Sequence, residues 1–467
     1  MPNICEFKRI IIGKNASYNE KRAAVFLANN IKMVAGFRPE ILTDETPAQD
    51  YELVLGRTTR ELDDGLSFER FHEYNRKWSY EIKYVGTRLY LTGLGDDPKD
   101  EQTELYNAKA VINDGAQGTM YAVYYFVEEV LGYQFVYYSD INILQERDDI
   151  EIDDRCNFLY TKETLREQMP ELFDGAAMYS VPGCQAICWN VSCTIFKTKE
   201  GKLIVIDGGH GGYHAEHVVD ILEYLADGKK PVITAWLFSH LHGDHYGVYY
   251  DLCHKPELAA RVEVKDFYCN LITEDFYTKI SFEGGAWAKD PRDTLLNSEE
   301  TIGAKVHKVV TGDEIVVDEF SFKVLHTPED INPEFLPKVD FNDSGVVYKL
   351  NYNNEQTIMF LSDAEKYCSD NLLENHRDEL KSDVVHVGHH GCGNVSKECY
   401  LEIGADAFLW QLGHVFWYAD DGESYNEHNG GIVRTRAFTK AAGERRENTY
   451  RDTNGLLSIK LPIEIKK

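Results

Sequence analysis

An apolar run that breaks off into metal-ligand side chains constrains this chain more than any other stretch. It is VITAWLFSHLHGDHYG, residues 232–247. Residues 232–238 read as a buried strand bounded by Pro231 and a polar cluster. His240, His242, Asp244 and His245 then fall within six positions. If the extended chain continued, His240 and His242 would point the same way and face one ion. Gly243 gives the backbone freedom for Asp244 and His245 to turn toward a second ion. Neutral imidazoles with carboxylates are the donor set of zinc and similar first-row cations. A solvated polar loop after a strand is the bland alternative, and it gives no reason for this density of ligands.

The chain has 467 residues, too many for one ordinary core, so two or three domains are expected. With 43% hydrophobic and 12% aromatic residues it reads as a soluble globular protein. The net charge of −29 argues against general affinity for nucleic-acid backbones or anionic membranes. No stretch approaches a membrane span, and the apolar run near the start is too short for a secretory core. The cysteines lack a framework of even spacing. Cys184, Cys188 and Cys193 cluster but have no second pair, so they read as core thiols in a reducing cytoplasm.

Residues 1–155 alternate strands and helices. Strands are expected at 7–13 and 51–56, a helix over 19–35, and a hairpin over 79–94 turning at Val85-Gly86. A helix over 120–131 should end at Gly132, with a strand over 133–138 beyond it. None of these carries a cluster of ligands. The strings LVLGRT (53–58), YEIKYVGTRLYLTG (80–93) and GTMYAVYYFVEEVLGYQF (118–135) resemble the accessory N-terminal domain of family 67 α-glucuronidases and the second domain of β-hexosaminidases. That resemblance implies an α+β sandwich without catalytic residues of its own, and it makes a glycan-linked substrate conceivable.

Residues 156–178 read as a charged linker with one short helix, and residues 179–467 as a second domain. Strands at 188–197 and 202–207 run into Asp207-Gly208-Gly209-His210-Gly211-Gly212, which lacks the lysine and spacing of a phosphate loop. Asp207 is expected to orient a ligating histidine. Over 214–226 a helix carries Val218, Ile221, Leu222 and Leu225 on one face, with His214 and His217 read as surface residues. Residues 251–310 read as irregular and aromatic-rich, with Tyr268, Phe276, Tyr277 and Trp287 available either to wall a pocket or to fill a core. Strands then recur at 314–317, 320–325, 345–350, 357–361, 383–387 and 407–412. Their ends bring His326, Asp363, His389 and His390, with His414 and His428 further on. Asp363 alone would serve equally well as a helix N-cap.

Residues 188–460 resemble the metallo-β-lactamase superfamily through the Asp207-Gly-Gly turn, the HxHxDH run and Asp363 at a strand end. NDSGVVYKL, TIMFLSDAE, LKSDVVHVGHHG and NTYRDTNG look most like the branch of the competence-protein metallo-hydrolase domain and the phosphorylcholine esterases. The resemblance implies an αββα sandwich, α/β in class, following the α+β region. It also implies two divalent cations, Zn²⁺ by default, with Mn²⁺ or Fe²⁺ suited to the same ligands. Carried over, His240 and His242 bind the first cation, Asp244 and His245 the second, and Asp363 bridges them. His389 is the expected ligand of the HHG loop, and His390 a ligand or transition-state contact. Ser362 stands where the branch usually has Gly, and Cys392 where it has Ser. The third imidazole of the first cation has no secure match, leaving His326, His414 and His428 as candidates.

The expected chemistry is ester hydrolysis by water activated between two cations, with Asp244 and His390 as the catalytic side chains. A phosphodiester or phosphoester is the leading substrate, small or glycan-linked. A carboxylic ester or lactone, a nuclease substrate, and a glycan-binding protein with a structural metal are the rivals. The acidic charge and the lack of basic runs weigh against nucleic acid, and no membrane partner is expected.

Overall fold

The structure is a computed structural model that describes residues 2–67, 79–93, 118–132, 150–183, 190–279, 286–339, 341–413, 417 and 427–465. The strand expected at 133–138, Cys184, Cys188, His414 and the side chains of Tyr277 and His428 lie outside the described residues. Two compact units divide the chain: Met1–Leu165 with Tyr418–Asn426, and Arg166–Trp417 with Glu427–Lys467.

The first unit is built on one sheet of β1 (Arg9–Ile12), β2 (Glu40–Thr43), β3 (Glu52–Leu55), β4 (Tyr80–Val85), β5 (Arg88–Gly93) and β6 (Phe158–Tyr160). Its order is β2-β1-β3-β5-β4-β6, parallel from β2 to β5 and antiparallel at β4. The helix Tyr18–Ala35 starts in a capping box between Ser17 and Glu20 and stops at Gly36, whose φ of 74° favours a residue without Cβ. It buries Ala23, Leu27, Ile31 and Val34 at helical spacing, the larger side chains contributing about 2 kcal/mol each. The helix Gly118–Tyr125 packs on β4, β5 and the first helix, and Gly132 takes the left-handed position beyond it. Part of the expected linker is strand: β6 belongs to this sheet.

In the second unit, β7 (Ala177–Ser180), β8 (Cys193–Lys197), β9 (Leu203–Asp207), β10 (Val232–Leu237), β11 (Glu263–Cys269) and β12 (Lys305–Lys308) are followed by β13 (Glu314–Val317), β14 (Phe320–His326), β15 (Val347–Tyr352) and β16 (Gln356–Phe360). Then come β17 (Val384–His386), β18 (Ala407–Trp410), β19 (Thr449–Arg451) and β20 (Leu457–Lys460). They form two seven-stranded sheets, β12-β11-β10-β9-β8-β7-β20 and β13-β14-β15-β16-β17-β18-β19. Alternate residues of each sheet meet in one core, where the Phe196 ring lies 5.4, 5.8 and 5.9 Å from Phe320, Phe322 and Phe360. The opposite face of the first sheet packs Ile195, Val205 and Trp236 under the helices Tyr213–Leu225 and Gly243–His254. The helix Lys366–Asn375 packs on β14 of the other sheet. This is the αββα sandwich expected for this part of the chain.

Two local readings change. His214 and His217 are fully buried, not surface residues. His214 shares the stripe of Val218, Ile221 and Leu225, so the helical period that marks the apolar face also carries it inward. Burial holds both imidazoles below their ordinary range, His217 at about 4. The stretch 251–310 is not irregular either. It holds β11 and β12 and the helices Lys289–Leu296 and Ser298–Ile302. Among the described residues no helix is long and apolar enough to cross a membrane.

Candidate metal centre

The loops after β10, β16 and β17, with the first turn of the helix Gly243–His254, supply the ligand-type side chains, and Asp207 at the end of β9 stands behind them. Beyond β10 the chain does not stay extended. His242 caps the helix Gly243–His254, leaving His240 and His242 in the loop and Asp244 and His245 in the first helical turn. The helix N-terminus favours the Asp244 carboxylate. Four residues without the freedom of glycine take left-handed backbone here: Asp207 (φ 56°), Ser362 (54°), His389 (47°) and His390 (51°). Such conformations cost about 1–2 kcal/mol each, and they turn side chains sharply off strand ends toward one point. Asp363 follows Ser362 and is not an N-cap; Glu365 holds that place before Lys366–Asn375.

Two clusters of ligand atoms result, His240–His242–Asp363 and Asp244–His245–His390, each within 4.8 Å. His240 Nε2 is 3.0 Å from His242 Nδ1 and 3.8 Å from Asp363 Oδ2. His245 Nε2 is 3.3 Å and His390 Nε2 3.6 Å from Asp363 Oδ1, and His390 Nε2 is 3.5 Å from Asp244 Oδ2. Ligands at roughly 2.0–2.1 Å in a tetrahedral zinc site stand about 3.3 Å apart, so these spacings suit cation ligands.

Hydrogen bonding gives a second, independent fit. His245 Nδ1 lies 2.8 Å from Asp207 Oδ2, and His390 Nδ1 lies 2.8 Å from the Gln411 carbonyl oxygen. Both partners only accept, so the ring protons sit at Nδ1 and the Nε2 lone pairs face inward. Those two Nε2 atoms are buried and make no hydrogen bond. Buried lone pairs turned on a carboxylate are costly unless a cation lies between them.

The electrostatics agree. Burial opposes charge on His245, yet Asp363 and Asp207 outweigh it and hold the imidazole well above its ordinary range. Burial also opposes the charge on Asp363 and Asp244, and the surrounding histidines hold both carboxyls far below theirs. His240, buried beside His245, is pushed well below its range. The carboxylates thus create a field that calls for positive charge, which a divalent cation answers more fully than one proton.

His389 lies beside Asp363 but outside both clusters, with Nε2 3.7 Å from Asp363 Oδ2 and Nδ1 2.5 Å from Glu365 Oε1. Although burial opposes its charge, Asp363 and Glu365 carry it up to about 9. His326 is turned away: its Nε2 is 3.1 Å from the Asp343 carbonyl and its Nδ1 3.2 Å from Asn371 Oδ1. Sequence reasoning passed over Glu365 and Gln411. Only proximity to Asp363 could have marked Glu365, and nothing local marks Gln411, whose side chain bonds Ser192, His386 and Ser180.

Of the aromatic residues considered for a pocket wall, Trp287 stacks near His242 at 5.4 Å, joined by Phe341 at 4.9 Å. Tyr268 instead stacks on His307, and Phe276 packs against the core.

Residues 186–330 match the family model described as the metallo-beta-lactamase superfamily. Over that stretch the chain is similar to this superfamily. No curated protein sequence matches it. Among solved structures, the metallo-β-lactamase fold protein YhfI from Bacillus subtilis is 14% identical, covering 61% of this chain and 99% of that one, with a TM-score of 0.34. A diphosphatase of the PhnP family is 13% identical, with 61% and 97% covered and a TM-score of 0.33. CmlA, a diiron β-hydroxylase from Streptomyces venezuelae, is 13% identical, with 76% and 62% covered and a TM-score of 0.38. Such distant likenesses say nothing about substrate.

Proposed function

We propose that the chain is a hydrolase using two divalent cations, zinc foremost, to cleave an ester, and that the ester is a phosphodiester or phosphoester. The observation that carries this reading is Asp363, whose Oδ2 turns to His240 and whose Oδ1 turns to His245 and His390. One carboxylate offering an oxygen to each of two ligand clusters suits a pair of hydrolytic cations. His240 and His242 would hold the first with Asp363; Asp244, His245 and His390 would hold the second. What such cations supply when bound is Lewis acidity toward the ester oxygen and water of lowered pKa.

The chain's own groups divide the remaining work. His245 and His390 donate hydrogen bonds from Nδ1–H to the Asp207 carboxylate and the Gln411 carbonyl oxygen, so in the neutral rings both Nε2 atoms present lone pairs inward. Asp244 is an acceptor only, placed to orient a nucleophilic water. The proton for the leaving group falls to His389, whose Nδ1 is tied to Glu365 and whose Nε2 faces the site. Positive charge held by the neighbouring ligand clusters would disfavour the protonated ring and ease release of that proton.

The phosphoester preference rests on the resemblance of NDSGVVYKL and LKSDVVHVGHHG to the phosphorylcholine-esterase branch. The charge of −29 speaks against a polynucleotide, and the glycan-enzyme resemblance of residues 1–155 supports a glycan-linked substrate. A panel of chromogenic phosphodiesters, phosphomonoesters, carboxylic esters and lactones tests the preference. The highest kcat/KM is expected on a phosphodiester; faster turnover of a carboxylic ester or lactone would overturn it.

A further inference from the structure

We infer that the side-chain oxygen of Asn342 is a ligand of the first cation position and makes it the weaker and less zinc-selective of the two. The inference rests on the two-cation reading above and adds a donor that no histidine among the described residues supplies. His240, His242 and Asp363 provide three donors, one fewer than a four-coordinate site needs. The imidazole that would fill the gap is not His326, whose two nitrogens are occupied elsewhere.

Asn342 Oδ1 lies 3.2 Å from His240 Nε2, the spacing of two ligands on one cation, and its side chain is buried. The turn Phe341–Ser344 that carries it is pinned on both sides. Asp343 Oδ1 accepts from the Cys368 amide at 2.8 Å, Ser344 Oγ donates to the Phe341 carbonyl at 2.7 Å, and Phe341 stacks on His242. The amide presents Oδ1 to His240, with Nδ2 3.4 Å from His389 Nε2. Ser239 Oγ, 3.1 Å from His240 Nδ1, can accept a hydrogen bond from Nδ1–H, which leaves Nε2 with its lone pair.

The two positions then differ in charge and softness. The second has two imidazoles, Asp244 and a share of Asp363; the first has two imidazoles, a neutral amide oxygen and the other share. An amide oxygen suits harder cations, so replacing a third imidazole with it lowers the preference for Zn²⁺ over Mn²⁺.

Calorimetric titration of the chelator-stripped full chain with Zn²⁺ and with Mn²⁺ tests this. Wild type should show a tighter and a weaker class of site. Asn342→Leu should weaken the weaker class on the order of tenfold or more, since even partners that only orient a ligand cost that much, and should leave the tighter class unchanged. Asn342→His should strengthen zinc, but not manganese, at the weaker class. If Asn342→Leu fails to fold, Asn342→His decides alone, and unchanged zinc affinity overturns the assignment. A wild-type chain that takes up fewer than two cations overturns the two-cation reading and the assignment with it. A two-cation chain indifferent to Asn342→Leu overturns the assignment alone.

Discussion

Asp207 Oδ2 stands 2.8 Å from His245 Nδ1 and sets which nitrogen of that ring carries the proton. Asp207 Oδ1 accepts from the Ser239 amide at 2.8 Å, so an asparagine here would keep its oxygen on that amide and turn its NH₂ toward His245. His245 Nδ1 would then have to accept, moving the ring proton to Nε2 and closing the lone pair that faces Asp244 and His390. Asp207→Asn is therefore expected to cost on the order of 10- to 100-fold in affinity at the tighter cation site, with folding retained. Calorimetric metal titration beside a thermal melt checks it; unchanged affinity would show that Asp207 does not set the tautomer.

Ser362 holds a left-handed backbone beside the carboxylate that joins the two clusters, and Gly345 makes room for it. A Cβ on Gly345 would stand 2.6 Å from Ser362 Oγ. Gly345→Ala should destabilise the chain by about 1–3 kcal/mol, as overpacking does. Ser362→Gly removes the opposing atom and relieves the backbone strain, so the double variant should recover much of that loss. A denaturation-based double-mutant cycle measures the coupling. Additive effects would mean the two positions are independent.

Asp452 is buried, accepting from Ser180 Oγ at 2.7 Å and the Leu412 amide at 3.2 Å, and burial pushes its carboxyl up to about 7. The folded chain thus holds this proton where the unfolded chain has lost it. Its contribution to stability is fully present below the ordinary carboxylate range and is lost as pH rises through about 7. Asp452→Asn cannot ionise, so its melting temperature relative to wild type should rise between about pH 5 and about pH 8. A difference that stays constant across that interval would contradict the raised pKa.

Much of this was legible in the residues, for reasons that differ by element. β13 and β14 lie where alternating apolar residues said they would, and the 3.6-residue period located the helix Tyr213–Leu225. The same period placed His214 and His217 inside, but reading them by their polarity put them on the surface. β11 escaped notice because its alternation breaks at Lys265-Asp266 and again at Phe267-Tyr268, so only Glu263-Val264-Lys265 shows the period of two. At the site, the density of His and Asp announced the ligand-type side chains within one loop. What stayed hidden were contacts between distant segments: the Gln411 carbonyl on His390, Glu365 on His389, and Asn342 beside His240. An amide or a backbone oxygen carries no signal of its own until folding brings a ligand to it.

Asp363 is proposed to join two cation positions that perform hydrolysis, and chelation tests this most directly. The purified chain should carry close to two equivalents of divalent metal and hydrolyse a chromogenic phosphodiester. Stripping it with EDTA should abolish that turnover without unfolding the chain, and added Zn²⁺ or Mn²⁺ should restore it. A chain that retains no metal, and whose hydrolysis EDTA leaves unchanged, would contradict the account.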